Sequence, residues 1–202
     1  MENEQSGSTI DSANPAADQT ITILRLGHRL PRDERISTHV ALVARAFGAS
    51  SIVYTGQKDQ GLEESVKRIC ERWGSGQSLH AANGDFSISY EANFRKPLKR
   101  FKEEGYALVH LTMYGIPILE KADAIRKHKK ILIIVGSEAV PGEVYQAADF
   151  NVAVTNQPHS EVAALAITLN ELARGAPLTR DFDAAFKGKI RIKPNERGKS
   201  IY

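Results

Sequence analysis

The stretch Asn151–Leu172, NVAVTNQPHSEVAALAITLNEL, decides what fold to expect, because it holds a strand, a polar turn and a helix start in succession. Asn151–Thr155 is a short β-branched run suited to a buried strand, and Asn156 and Gln157 make a turn before Pro158. Pro158 is placed to open a helix, where its missing N–H costs nothing. That helix would bury Val162, Leu165, Ala166, Leu169 and Leu172 at three- and four-residue spacing and stop at Arg174-Gly175, with Pro177 beyond. Gln157, His159, Ser160 and Glu161 then crowd the mouth of the connection, where unpaired backbone N–H groups can receive a carboxylate or hydroxyls. The same spacing also suits an ordinary capped connection.

Two further runs make the sheet parallel. Tyr106–Thr112 (YALVHLT) and Ile131–Val135 (ILIIV) are continuously apolar, as strands covered on both faces are, with a helix expected between them over Ile118–Lys130. They end in the turns LTMYG and GSEAVPGEVY. With the loop Thr155–Glu161, three strand ends would lie side by side as walls of one pocket, since ligands of open α/β sheets bind beyond the strands' carboxyl ends.

Upstream, Thr20–Leu26 reads as a first strand. A helix follows, with Asp33 as N-cap, Ile36, Val40, Val43 and Phe47 as its buried stripe and Gly48 as its stop. Arg32, Arg35 and His39 share a neighbouring stripe, and Arg25, His28 and Arg29 lie just before it. Six Arg and His residues within fifteen positions predict a phosphate-facing edge, although helices also carry arginines for solubility. Ser51–Thr55 and Phe86–Tyr90 read as strands flanking a helix over Leu62–Trp73, and Arg95, Lys96, Lys99, Arg100 and Lys102 form a second basic cluster, with Phe94 and Phe101 packing inward. Beyond Pro177, RDFDAAF reads as a short helix, and KGKIRIKPNERGK alternates cation and aliphatic like a charged edge strand.

Bulk properties limit the function classes. The 202 residues, 42% hydrophobic and 25% charged, support one α/β domain over 20–176, preceded by a polar tail over 1–19 expected to be disordered and followed by a basic extension over 177–202. No apolar run reaches membrane-spanning length, so a membrane partner is not expected. The single cysteine, Cys70, fits a core position and a cytoplasmic, reducing setting. The six histidines form no pair at ligand spacing, which argues against a metal hydrolase. A dinucleotide-binding dehydrogenase would show a glycine-rich loop after the first strand, where RLGHRLPRDER is cationic instead. A net charge of +3 is too small to imply a nucleic-acid partner alone; its clustering is the stronger datum.

At these loops the sequence resembles the archaeal tRNA 2′-O-ribose methyltransferases that modify cytidine 56, in the SPOUT superfamily. The resemblance rests on RLGHRLPRDERISTHVALVARAFGA, HLTMYG, IIVGSEAVPGEVYQAADFNVAV and NQPHSEVAALA, and spans residues 23 to 173, about three quarters of the chain. It implies a parallel-sheet α/β fold with a C-terminal trefoil knot, a homodimer whose sites share residues, a tRNA substrate and S-adenosyl-L-methionine as cofactor. Carried over by position, the cofactor would be held by Leu111, by Gly136, Ser137, Glu138, Ala139 and Val140, and by Val154, Thr155, Asn156, Gln157, Pro158, His159, Ser160 and Glu161.

The superfamily's catalytic arginine precedes a Phe-Gly pair, yet the position five before Phe47-Gly48 is Leu42, so that arginine must lie elsewhere. Arg35 is the first choice, followed by Arg25, Arg29 and Arg32; His39 is placed to accept the proton and Glu161 to orient a substrate group. The rival class is a non-catalytic RNA-binding homodimer of the same fold, which would have no need to take up the cofactor.

Overall fold

Alternation along the first strand sets two packing faces. Ile21 and Ile23 join one apolar cluster, Leu24 and Leu26 the other, and all four are buried. In the computed structural model, which describes residues 19–75, 86–136 and 139–202, this strand, β1 (Thr20–His28), lies near the middle of a six-stranded sheet. The others are β2 (Ser51–Gly56), β3 (Ser87–Glu91), β4 (Ala107–Pro117), β5 (Lys130–Val135) and β6 (Phe150–Ala153), in the order β3-β2-β1-β5-β4-β6 and parallel throughout. Parallel strands need crossovers, and helices supply them on both faces.

Helices α1 (Glu34–Ala46), α2 (Gln60–Trp73), α4 (Ile118–Arg126) and α6 (Glu161–Leu172) cover the face carrying Ile21, Ile23, Ile52, Val109, Ile131 and Ile133. Helices α3 (Arg95–Glu103) and α5 (Gly142–Ala147) cover the other, where Leu98, Phe101 and Val144 meet Leu24, Val53, Leu108, Leu132 and Ile134. Phe94 and Phe101 pack inward as their spacing predicts. The cations of α3 are largely matched: Arg95 pairs with Glu143, Lys96 and Arg100 with Glu91, and Lys99 with Glu103.

Several boundaries differ from those expected. Helix α6 begins at Glu161 rather than Pro158, because Pro158–Ser160 stay outside the helix and Ser160 takes an extended N-cap conformation. Its buried face is Ala164, Leu165, Thr168, Leu169 and Leu172, with Val162 half-buried beside it. The stripe of α1 is likewise rotated: Ser37, Val40, Ala41 and Ala44 are inside, Val43 and Phe47 flank them, and small side chains allow α1 and α6 to approach. The basic C-terminal stretch is not an edge strand of the main sheet. After α7 (Ala176–Thr179) and α8 (Phe182–Phe186), the short strands β7 (Ile192–Lys193) and β8 (Ser200–Ile201) pair only with each other. The extension docks at the ends of α1 and α2, where the Arg45 guanidinium stacks 4.5 Å from the Phe186 ring centroid and donates to the Trp73 and Gly74 carbonyls.

The largest departure is in β4. It pairs with β6 twice, Val109–Leu111 against Phe150–Val152 and Ile116–Pro117 against Val152–Ala153, so that Leu111 and Ile116 share Val152 as partner. Residues 112–115 therefore leave the ladder and return to it. Gly115 permits the return: a β-carbon there would lie 2.5 Å from the Val152 nitrogen. Asn156 ties the excursion down by donating from Nδ2 to the carbonyls of Met113 and Gly115. Among the described residues, no helix is long and apolar enough to cross a membrane.

Candidate cofactor and substrate site

The strand order β5-β4-β6 puts the three predicted turns side by side at the carboxyl end of the sheet. Between them is a cavity of about 620 Å³. Its walls come from Leu111–Tyr114 at the excursion of β4, from Gly136, Ala139 and Val140 after β5, and from Pro158, His159 and Glu161 at the start of α6. His110 and Tyr145 close the side toward α5. That volume lies in the range of small-molecule sites, and the wall mixes apolar side chains with polar ones such as His110, Thr112, His159 and Glu161.

Not every expected residue lies on this wall. Leu111, Gly136, Ala139, Val140, Pro158, His159 and Glu161 are brought together, whereas Val154, Thr155, Asn156, Gln157 and Ser160 are not among the lining residues. Asn156 instead secures the β4 excursion, and Thr155 bonds within its own turn to the Gln157 backbone. Ser137 and Glu138 lie outside the described residues.

Residues the sequence reading passed over contribute the most specific polar geometry. His110 is fully buried in β4, directly opposite Asn151 of β6. Asn151 donates from Nδ2 to the Tyr145 carbonyl at 2.8 Å, which turns its Oδ1 toward the imidazole to accept from His110 Nδ1–H at 2.9 Å. The proton is thereby placed on Nδ1, and Nε2, which is buried and has no partner, keeps its lone pair. The Tyr145 ring packs edge-on against His110 with centroids 4.6 Å apart. One signal was available in sequence: a histidine inside the apolar run YALVHLT and an asparagine at the head of NVAV, matched only once β4 and β6 are paired.

Burial holds the His110 imidazole below its ordinary pKa, against a smaller upward pull from the Asn151 hydrogen bond. The unfolded chain takes up a proton near pH 6.5 that the folded chain refuses, so stability present above that pH is lost as pH falls toward the folded value. Thermal denaturation between about pH 7.5 and 5 should show the native chain losing more than His110→Gln over this window. Parallel pH curves for the two proteins would contradict it.

The cations of the β1–α1 segment separate into different environments. Arg25 and His28 are fully buried and cannot form part of an exposed phosphate-facing edge, which corrects that expectation. His28 bonds from Nδ1 to Ser37 and from Nε2 to Asp59, tying β1 to α1 and α2. Arg25 faces α6, with Nη2 3.1 Å from Glu161 Oε1. Arg29 pairs with Asp33 at 3.3 Å, and Arg32 lies 3.9 Å from the same carboxylate. Arg35 is exposed and carries no ion pair among the described residues. With His39 and Arg68 it lines a separate cleft of about 400 Å³ between α1 and α2, so it does not reach the cavity of its own chain. No group of three or more His, Cys, Asp or Glu among the described residues is arranged to hold a metal.

Comparison with known proteins agrees with this geometry. The family model described as tRNA ribose 2′-O-methyltransferase, aTrm56, matches residues 82–202. A tRNA (cytidine(56)-2′-O)-methyltransferase of Methanocaldococcus jannaschii is 50% identical over 184 residues, covering 90% of this chain and 95% of its own. The Thermococcus kodakarensis protein of the same name is 48% identical over 185 residues, covering 90% and 96%. Among solved structures, a TrmH/SpoU tRNA modifying enzyme of A. aeolicus superposes with a TM-score of 0.56 at 16% identity, covering 85% of this chain and 82% of that one. The SpoU methyltransferase AviRb of Streptomyces viridochromogenes, solved in complex with AdoMet, gives 0.53 at 15% identity, covering 78% and 58%. At these identities the superpositions establish the SPOUT fold and no more.

Proposed function

The chain belongs to the family of tRNA ribose 2′-O-methyltransferases, and from that membership we propose that it methylates the ribose 2′-hydroxyl of cytidine 56 in tRNA, using S-adenosylmethionine. The observation that carries the reading is the near-full-length identity of 50% to a relative named for that reaction. The cavity fits the cofactor on its own terms. It has apolar side chains such as Leu111, Ala139 and Val140 for an adenosine, one carboxylate among the described lining residues for a cationic group, and buried polar atoms without partners at His110 Nε2 and Glu161 Oε2.

Bound there, S-adenosylmethionine supplies an electrophilic methyl group, which needs no protein nucleophile. The task left to the chain is to bind, to orient and to manage charge and a proton. Leu111–Tyr114, Gly136, Ala139 and Val140, and Pro158, His159 and Glu161 would hold the cofactor, and the tautomer fixed by Asn151 leaves His110 Nε2 as a hydrogen-bond acceptor beside it. Arg35 contacts the phosphate adjoining the target ribose and favours the developing negative charge on the 2′-oxygen. His39, one helical turn along, accepts the proton.

Because Arg35 does not reach its own cavity, we place it at the cavity of a second copy in a homodimer. Exposed Tyr114, Ile116, Leu119 and Ile167, on the β4–α4 junction and α6, support an apolar contact between copies. The trefoil knot is carried over from the family as part of the same reading. A reducing, cytoplasmic setting follows from a tRNA substrate and a lone cysteine.

The test is to incubate unmodified tRNA with the protein and S-adenosylmethionine and map the product by mass spectrometry. One methyl group on the ribose of cytidine 56 is expected. A methylated base, or no product from protein that binds the cofactor, would overturn the assignment, the latter in favour of a non-catalytic RNA-binding homodimer.

A further inference from the structure

Among the described residues lining the cavity, Glu161 is the only carboxylate. It opens α6, its side chain is 18% exposed, and its two oxygens differ in their surroundings. Oε1 faces Arg25 Nη2 at 3.1 Å; Oε2 is buried and has no partner. Arg25 is 0% exposed and follows Ile21 and Ile23 on the sheet face beneath α6, where its Nη1 donates to the Leu26 carbonyl at 2.8 Å.

The pair is poorly compensated as it stands. Burial pulls the guanidinium below its ordinary pKa and pushes the carboxyl above its own, each shift opposed by the charge of the other. Both directions favour neutralisation, yet a guanidinium does not deprotonate in a folded protein, so Arg25 stays cationic and holds Glu161 as its counterion. Such pairs contribute little net stability once desolvation is included. Neither Arg25 Nη2 nor Nε completes a hydrogen bond, and Glu161 Oε2 is buried without a donor at the edge of the cavity. A positively charged ligand group in that cavity would set a second cation against the unpartnered Oε2, in surroundings where water screens it weakly.

We propose that Glu161 reads the positive charge of the bound cofactor, and that Arg25 is the positioning residue that holds the carboxylate for this task rather than a contact to RNA. The inference rests on S-adenosylmethionine being the ligand of this cavity. The shared chemistry is a cation, either the sulfonium or the α-ammonium, and three nucleosides separate the two. S-adenosylmethionine carries both charges, S-adenosylhomocysteine only the ammonium, and 5′-methylthioadenosine neither.

Isothermal titration of all three with the native chain, Glu161→Gln and Arg25→Met tests it. Glu161→Gln should weaken S-adenosylmethionine by about 10-fold or more, as expected for a buried charge-assisted contact, while leaving 5′-methylthioadenosine within about 3-fold. S-adenosylhomocysteine should weaken in step if the ammonium is read, and be spared if the sulfonium is. Arg25→Met should reduce the same preference for charge without abolishing binding of the neutral nucleoside, an effect a merely structural residue would not have. If either variant fails to show a cooperative melt, Glu161→Asp, which withdraws the carboxylate by one methylene, must lower the same ratio. An equal loss for all three nucleosides, or none for any, would overturn the proposal. Failure of the native chain to bind any of them would instead defeat the cofactor reading on which it depends.

Discussion

Arg35→Ala is expected to bind S-adenosylmethionine as the native chain does and to methylate tRNA about 10²-fold more slowly in a single turnover, or worse. The structure separates the four arginines of the β1–α1 segment by what already occupies them. Arg25 is buried against Glu161, Arg29 and Arg32 are near Asp33, and Arg35 alone of the four is exposed with no ion pair among the described residues. A guanidinium needs free donors to grip a phosphate or an alkoxide bidentately, and Arg35 retains them. Its proposed contact is with the substrate's phosphate rather than with the cofactor, so affinity for the cofactor should be untouched and the loss should fall on turnover. Mixing Arg35→Ala with a second variant disabled only in the cavity should restore activity, since a mixed dimer holds one complete site. An unchanged single-turnover rate in Arg35→Ala would remove it from the reaction.

The second large effect is expected at Gly115. Leu111 and Ile116 both pair with Val152, and the chain between them can return to β6 only if no side chain intervenes. A β-carbon on Gly115 would lie 2.5–2.6 Å from the nitrogen, Cα and carbonyl carbon of Val152, all backbone atoms of a fully buried residue held in the β4–β6 ladder. Gly115→Ala should therefore cost about 3 kcal/mol of stability or more, lowering the denaturant midpoint. Because residues 111–114 form one wall of the cavity, cofactor binding should fall with it. Alanine at Gly142, whose β-carbon would meet nothing within 4 Å, is the control and should be nearly neutral. Equal midpoints for the two variants would show that β4 can return to β6 by another path.

These two residues mark where the sequence was legible and where it was not. The parallel sheet could be read because ILIIV is apolar throughout and YALVHLT is apolar but for His110 and Thr112, as strands covered on both faces are. Three adjacent turns followed from it, and they do line one cavity. The excursion of β4 could not be read: HLTMYG looks like any strand end, and its return to β6 depends on a partner forty residues away. Pro158 offered a plausible helix start, but Ser160 provides the N-cap and Glu161 the first helical residue. Arg25 was grouped with its neighbours as a surface cation because TITILRL gives no sign of which face is covered by α6. His110 was hidden for a similar reason, since only the pairing of β4 with β6 sets Asn151 opposite it.

The central claim is that the ends of β4, β5 and the β6–α6 connection form one cofactor cup. A crystal structure of the chain grown with saturating S-adenosylhomocysteine tests it most directly. The account predicts the nucleoside between Leu111–Tyr114, Ala139–Val140 and Pro158–Glu161, with a donor on His110 Nε2 or Glu161. Density for the nucleoside in the α1–α2 cleft beside Arg35 and His39 instead, with the three turns empty, would contradict it.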